Sequence, residues 1–224
     1  MTYYVLFFLH LGSRKIHVAG VTPHPNEAWM VQVARNVTME EWGFLAPGQY
    51  LIHDRDGKYC PAFQQIIDAA GVKRVPLPPR SPNLNAYAER WVRSIKEECL
   101  SRLILFGEAS LRHALTQYVE HFHHERNHQG KGNVLLFPAV SHDPERTGPM
   151  QCRERLGGLL KYYTSHSAPV QSKNPNILLH LTPFPHPFAR NYVNFNSFHV
   201  KGLRYFCRYA CVPLIAPTRA KMHA

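Results

Sequence analysis

The chain has 224 residues, 45% of them apolar, with 26 Lys and Arg against 15 Asp and Glu and a net charge of +11. Length and composition exclude a disordered chain and allow one α/β core with additional material, and no apolar run approaches the ~20 residues that span a bilayer. The charge favours an anionic partner, but residues 1–163 hold 19 basic and all 15 acidic residues, whereas 164–224 hold 7 basic and no acidic ones.

Residues 3–11 are aromatic and aliphatic and predict a strand. The run is too short, and lacks the preceding basic residues, for a secretory signal. Gly12-Ser13-Arg14 reads as a turn, and Lys15 to Val21 alternates polar with apolar, so the two runs predict a hairpin. Pro23, Pro25 and Asn26 open a helix of about a dozen residues, with Trp29, Val33 and Val37 at helical spacing. After the Pro47-Gly48 turn, Tyr50 to His53 is a short strand running into Asp54. A helix from Pro61 with Phe63, Ile66, Ile67 and Ala70 on one face ends at Gly71, and Val72 to Leu77 is a strand.

Pro76, Pro78, Pro79 and Pro82 stiffen the next loop. A further helix starts near Asn83 to Asn85, with a buried stripe of Leu84, Ala88, Trp91, Ile95 and Cys99. Another spans about 108–126 through Leu111, Leu115, Tyr118, Val119 and Phe122. This order of elements predicts a mixed α/β layered domain over residues 1–130. Residues 131–163 read as a loop and short helical appendix. Residues 164–224, with seven prolines and no acids, read as a basic, irregular C-terminal extension. Cys60, Cys99, Cys152, Cys207 and Cys211 form no C-x-x-C pair, which suggests free thiols in a reducing compartment.

Two acids stand out. Asp54 follows a strand, Glu89 lies in the first turns of a helix, and 34 residues separate them. Carboxylates at strand ends suit a hard divalent cation, and such ions activate oxygen nucleophiles and relieve charge at phosphorus. Glu89, Arg93 and Lys96 share a helix face, an arrangement that also occurs as an ordinary solvent-exposed ion pair. Asp56-Gly57 alone is a turn. His121, His123, His124 and His128 offer helical metal-ligand spacing, but no cysteine lies nearby and the segment reads as structural.

The run from Ile52 through Leu100, containing Asp54-Arg55-Asp56-Gly57-Lys58-Tyr59 and Asn85-Ala86-Tyr87-Ala88-Glu89-Arg90-Trp91, resembles the integrase core of bacterial insertion-sequence transposases and retroviral integrases, the DDE family with an RNase H-like fold. The resemblance continues through Tyr118 to Gly130 and Arg153 to Tyr163. It implies an RNase H-like mixed sheet flanked by helices, and DNA integration or transposition by metal-dependent strand transfer. Asp54, in preference to Asp56, is implied as the second catalytic acid and metal ligand, and Glu89 as the third. The place of the first acid, before Ser13-Arg14, falls on His10, which leaves a truncated core one carboxylate short and an expectation of weakened or lost activity. Mg²⁺ or Mn²⁺ is the implied cofactor, DNA (element ends and target) the partner, a homo-oligomer the active form, and the cytoplasm the compartment. Arg55, Lys58, Arg80, Arg90, Arg93 and Lys96 are the expected phosphate contacts. A non-catalytic nucleic-acid-binding remnant, or a partner subunit of an intact transposase, is the alternative.

Overall fold

The structure, a computed structural model, describes residues 1–79, 85–138, 149–165 and 192–201. Strand β1 (Thr2–His10) turns at Gly12–Arg14 into β2 (Ile16–Thr22), the predicted hairpin. Val5 to Leu9 are all buried, because both faces of β1 are covered, as in an interior strand. Gly20 on β2 admits the Trp29 ring: a Cβ there would lie 2.8 Å from the indole.

Helix α1 (Glu27–Val37) begins after Asn26, as the sequence suggests, and the Asn26 side chain caps it by accepting the Trp29 N–H at 2.9 Å. Strand β3 (Tyr50–His53), helix α2 (Pro61–Ala69) and strand β4 (Lys73–Pro76) follow, with Gly71 at φ +72° ending the α2 turn. Helix α3 (Ala86–Glu98) buries Ala88, Trp91 and Ile95, and helix α4 (Gly107–His124) buries Leu111, Ala114, Leu115, Tyr118 and Phe122.

Two parts of the chain depart from expectation. In place of a helical appendix, β5 (Met150–Arg155) and β6 (Leu160–Ser165) form an antiparallel hairpin. Leu156, Gly157 and Gly158 all have positive φ at its turn, a conformation that a Gly-Gly pair supplies and a helix cannot contain. Within the extension expected to be irregular, β7 (Tyr192–Lys201) takes the middle place in the main sheet. The order is β2-β1-β7-β3-β4; β1 is antiparallel to β2 and β7, and β7, β3 and β4 are parallel. Among the described residues, β7 joins the β1–β2 pair to the β3–β4 pair within the sheet.

The fold is therefore mixed α/β, with a five-stranded sheet between helix layers. Val5, Phe7, Leu9 and Phe198 face α3 and α4. Leu6, Phe8, Leu51, Val193 and Phe195 face α1 and α2. Phe195 stacks on Phe8 at 4.2 Å and on Phe63 at 5.5 Å.

The β5–β6 hairpin is tied to α4 through Glu125, whose side chain is only 3% exposed. Arg155 donates to both carboxylate oxygens (2.7–3.0 Å), and His121 Nδ1 lies 3.1 Å from Oε2. Burial pushes the Glu125 carboxyl up, but the Arg155 and His121 hydrogen bonds and charges outweigh it and hold the group below the usual range. Replacing Arg155 by Gln leaves that carboxylate with weaker partners and should cost about 1–3 kcal/mol. Limited trypsin digestion should then cut residues 150–165 first; equal cleavage rates in both forms would argue against this anchor.

Candidate active site

Asp54 follows β3 directly and is half-buried. Its Oδ1 accepts the Asp56 N–H at 3.3 Å, and the next acid is committed elsewhere: Asp56 accepts the Lys58 N–H at 3.0 Å and forms an ion pair with the Lys58 amine. The local turn thus uses Asp56 and Lys58 on each other, which favours Asp54 as the carboxylate available to a ligand. Arg55 anchors the same loop by donating from Nε to the Leu77 carbonyl at 3.1 Å. Behind it, the Tyr59 phenol is pushed above its ordinary value, first by burial and then by the charges of Asp54 and Asp56. Burial lowers the His53 imidazole, against the opposing effect of its hydrogen bond to the Asp54 carbonyl.

Glu89 lies in the first turn of α3 and is exposed, as are Arg90 and Arg93; Lys96 is half-buried, 5.5 Å from the Phe198 ring centre. The start of this helix is also tied to the sheet by two strand residues that sequence reasoning does not single out, Asn194 and Asn196. Asn85, one turn before Glu89, accepts on Oδ1 from Asn194 Nδ2 (2.9 Å) and Asn196 Nδ2 (2.6 Å), and donates from Nδ2 to Asn196 Oδ1 (3.3 Å). Asn196 Nδ2 also lies 3.0 Å from Asn194 Oδ1. Asn194 and Asn196 are buried, so the three carboxamides satisfy one another away from water.

Register then locates the two acids. His53 pairs with Phe195, so Asp54 follows at the level of Asn196, to which Asn85 is bonded. Asp54 and Glu89 therefore lie toward the same end of the central strands, the carboxyl end of β3.

His10 is not brought to them. It pairs with Val193, as does Leu51 on the other side of β7. That places it roughly 10 Å along the strands from Asp54 and roughly 10 Å across them. Because β1 runs antiparallel to β3, its carboxyl end is at the opposite end of the sheet. The His10 ring instead closes the β1–β2 turn: its Nδ1 accepts the Ser13 N–H at 3.1 Å and lies 2.9 Å from Ser13 Oγ. The structure thus does not bring His10 beside Asp54 and Glu89. Arg80 lies outside the described residues.

The histidines of α4 have separate structural roles. His123 Nε2 accepts the Ile16 N–H at 2.9 Å, His124 Nδ1 lies 2.7 Å from the Phe137 carbonyl, and His128 Nε2 lies 2.8 Å from the Phe122 carbonyl. Among the described residues no three His, Cys, Asp or Glu side chains gather as a metal cage.

The family model described as integrase core domain matches residues 70–134. This stretch is similar to integrase core sequence. The integrase core match contains α3, α4, Glu89 and the cations Arg90, Arg93 and Lys96, and stops short of Asp54 and His10. Among solved structures, the chain is similar to one from a simian T-cell lymphotropic virus intasome in complex with PP2A regulatory subunit B56 gamma, at 13% identity and a TM-score of 0.45. That alignment covers 72% of this chain and 61% of the viral one. No curated protein matches. No helix among the described residues is long and apolar enough to cross a membrane.

Proposed function

We propose that this chain is the core of a DDE-type polynucleotidyl transferase with an RNase H-like sheet, acting on DNA ends and target DNA in the cytoplasm as a homo-oligomer. The observation that carries the reading is the placing of Asp54 and Glu89 at one end of the sheet, the second of them within integrase core sequence. Two carboxylates, one half-buried and one exposed, suit a hard cation that keeps water and substrate phosphate as its other ligands. Mg²⁺ or Mn²⁺, when bound, supplies relief of negative charge at phosphorus and a more reactive oxygen nucleophile.

The chain's own residues do the rest. Asp54 and Glu89 would hold the ion. Asn85, Asn194 and Asn196 fix the start of α3 against the sheet, and so fix where Glu89 stands. Arg90 and Arg93 offer exposed guanidinium groups to phosphates beside Glu89, with Lys96 and Arg55 further out. In strand transfer the oxygen of a 3′-hydroxyl bonds to a target phosphorus, the target's P–O3′ bond breaks, and the hydroxyl proton passes to water.

Asp54→Asn and Glu89→Gln, each assayed on a duplex with a free 3′-hydroxyl end and Mg²⁺ or Mn²⁺, should each lower joined product by about a hundredfold or more, with folding unchanged by circular dichroism. Joining that survives both substitutions would defeat the assignment. A second reading rests on the place of His10: with the position implied for the first acid lying away from Asp54 and Glu89, the chain would bind DNA without cutting it. Duplex binding with no ion-dependent nicking or joining in the native chain would favour that reading.

A further inference from the structure

Three cations from separate elements gather beside the start of α3. Arg14, in the β1–β2 turn, places its guanidinium carbon 3.4 Å from the centre of the Tyr87 ring, which is 45% exposed. Lys131, in the turn after α4, donates from Nζ to the Gly12 carbonyl at 2.8 Å. Arg90 Nη1 lies 3.8 Å from the point where a side chain on Gly130 would begin.

No carboxylate among the described residues pairs with any of the three. Among the described residues, Arg14 Nη1 is buried without a hydrogen-bond partner. The Lys131 amine is lowered from its ordinary value, first by burial and then by the charge of Arg14. Arg14 also has φ +65°, a left-handed conformation that costs a non-glycine residue energy. The His10–Ser13 contacts and the Arg14 N–H bond to the His10 carbonyl (2.8 Å) hold the turn in that form. A strained residue presenting a cation with an orphaned donor, next to two further cations, is a cluster short of its anion.

We infer that Arg14, Arg90 and Lys131 form a binding site for a phosphate of a polynucleotide backbone. Arg14 provides a planar donor face braced on Tyr87, and the two others supply charge. Arg90 adjoins Glu89 in α3, so a backbone held here runs past the proposed acid pair. The inference rests on the nucleic-acid reading above, and deepens it by giving His10 a role in shaping the turn that carries Arg14.

The test is the salt dependence of binding to a labelled random-sequence duplex, measured by anisotropy in EDTA so that no divalent ion takes part. Each phosphate contact contributes about −0.9 to the slope of log affinity against log salt. Arg14→Gln, Arg90→Gln and Lys131→Gln combined should make the slope shallower by about 2 to 3, whereas Arg35→Gln, on α1 across the sheet, should leave it unchanged. If Arg14→Gln unfolds the turn, the Arg90→Gln and Lys131→Gln pair should still remove about 2. Native-chain binding with an unchanged slope in these variants overturns this inference alone. Failure of the native chain to bind any duplex overturns the functional reading along with it. Variant-sensitive binding of inorganic phosphate without any change in duplex slope would mark a free-anion site and also overturn the backbone assignment.

Discussion

Phe195→Ala should lower the free energy of unfolding by about 3–5 kcal/mol, a large share of the roughly 5–15 kcal/mol that holds a domain together. The side chain is fully buried, stacked on Phe8 and Phe63 and 4.9 Å from the Tyr59 ring centre. Removing it opens a cavity among three rings that are themselves fixed by the sheet and by α2. The consequence is larger than one cavity, because β7 pairs with β1 over nine residues and with β3 over four. Weakening it loosens the strand that joins the two halves of the sheet among the described residues. Urea unfolding followed by tryptophan fluorescence measures the effect, with Trp42→Ala (81% exposed) expected within about 0.5 kcal/mol of native. A Phe195→Ala change below about 1 kcal/mol would mean that the segment contributes no strand to the folded chain.

That strand also marks where sequence reasoning stops. The opening of α1 at Asn26, the α3 stripe from Ala88 to Cys99 and the strand leading to Asp54 are local patterns, set by residues a few positions apart, and the structure contains them, while Leu84 lies outside the described residues. Tyr192-Val193-Asn194-Phe195-Asn196 alternates as a strand should, with Val193 and Phe195 on one face and Asn194 and Asn196 on the other. Its signal is submerged in a proline-rich, acid-free segment whose composition reads as irregular. The place of His10 shows the same limit. A strand pattern does not state which neighbour it pairs with or in which direction it runs. With 192–201 occupying the middle place and β1 antiparallel to it, the end of β1 lies away from Asp54.

The buried carboxamides show a different limit. An Asn at a helix start reads as a cap, and an Asn in a strand reads as a solvent-facing position. Only the fold reveals that Asn85, Asn194 and Asn196 are one another's partners across more than a hundred residues. The glycines of the β5–β6 turn were visible as Gly157-Gly158, but a Gly-Gly pair ends helices as readily as it turns hairpins. Local chemistry therefore located the acids and their helix, and long-range pairing decided which groups stand beside them.

Acidification from pH 7 to pH 4.5 should destabilise the fold through His123. Its Nε2 accepts the Ile16 N–H, which requires the neutral ring, and this bond joins α4 to the start of β2. Burial first, and then the positive side of His124, Lys15 and His128, depress its pKa to about 4 from 6.5. The folded state thus resists a proton that the unfolded chain accepts. Stability from this group is complete above pH 6.5, declines as pH falls through the interval between the two values, and is lost by about pH 4. The difference corresponds to roughly 3 kcal/mol in full. His17, His53 and His128 are also lowered, with burial the leading cause for each, and add in the same direction. The paired carboxylates Asp68 and Glu125 are lowered as well, so their contributions are lost only at still more acid pH. His123→Gln keeps an acceptor for the Ile16 N–H and removes the titrating ring. Its unfolding free energy should therefore vary less between pH 7 and 4.5 than that of the native chain, by about 2 kcal/mol or more. His123→Phe, with no acceptor, should be weaker at both pH values and equally flat between them. Parallel pH profiles for the native chain and His123→Gln would show that the proton is taken up elsewhere and that the α4–β2 contact survives it.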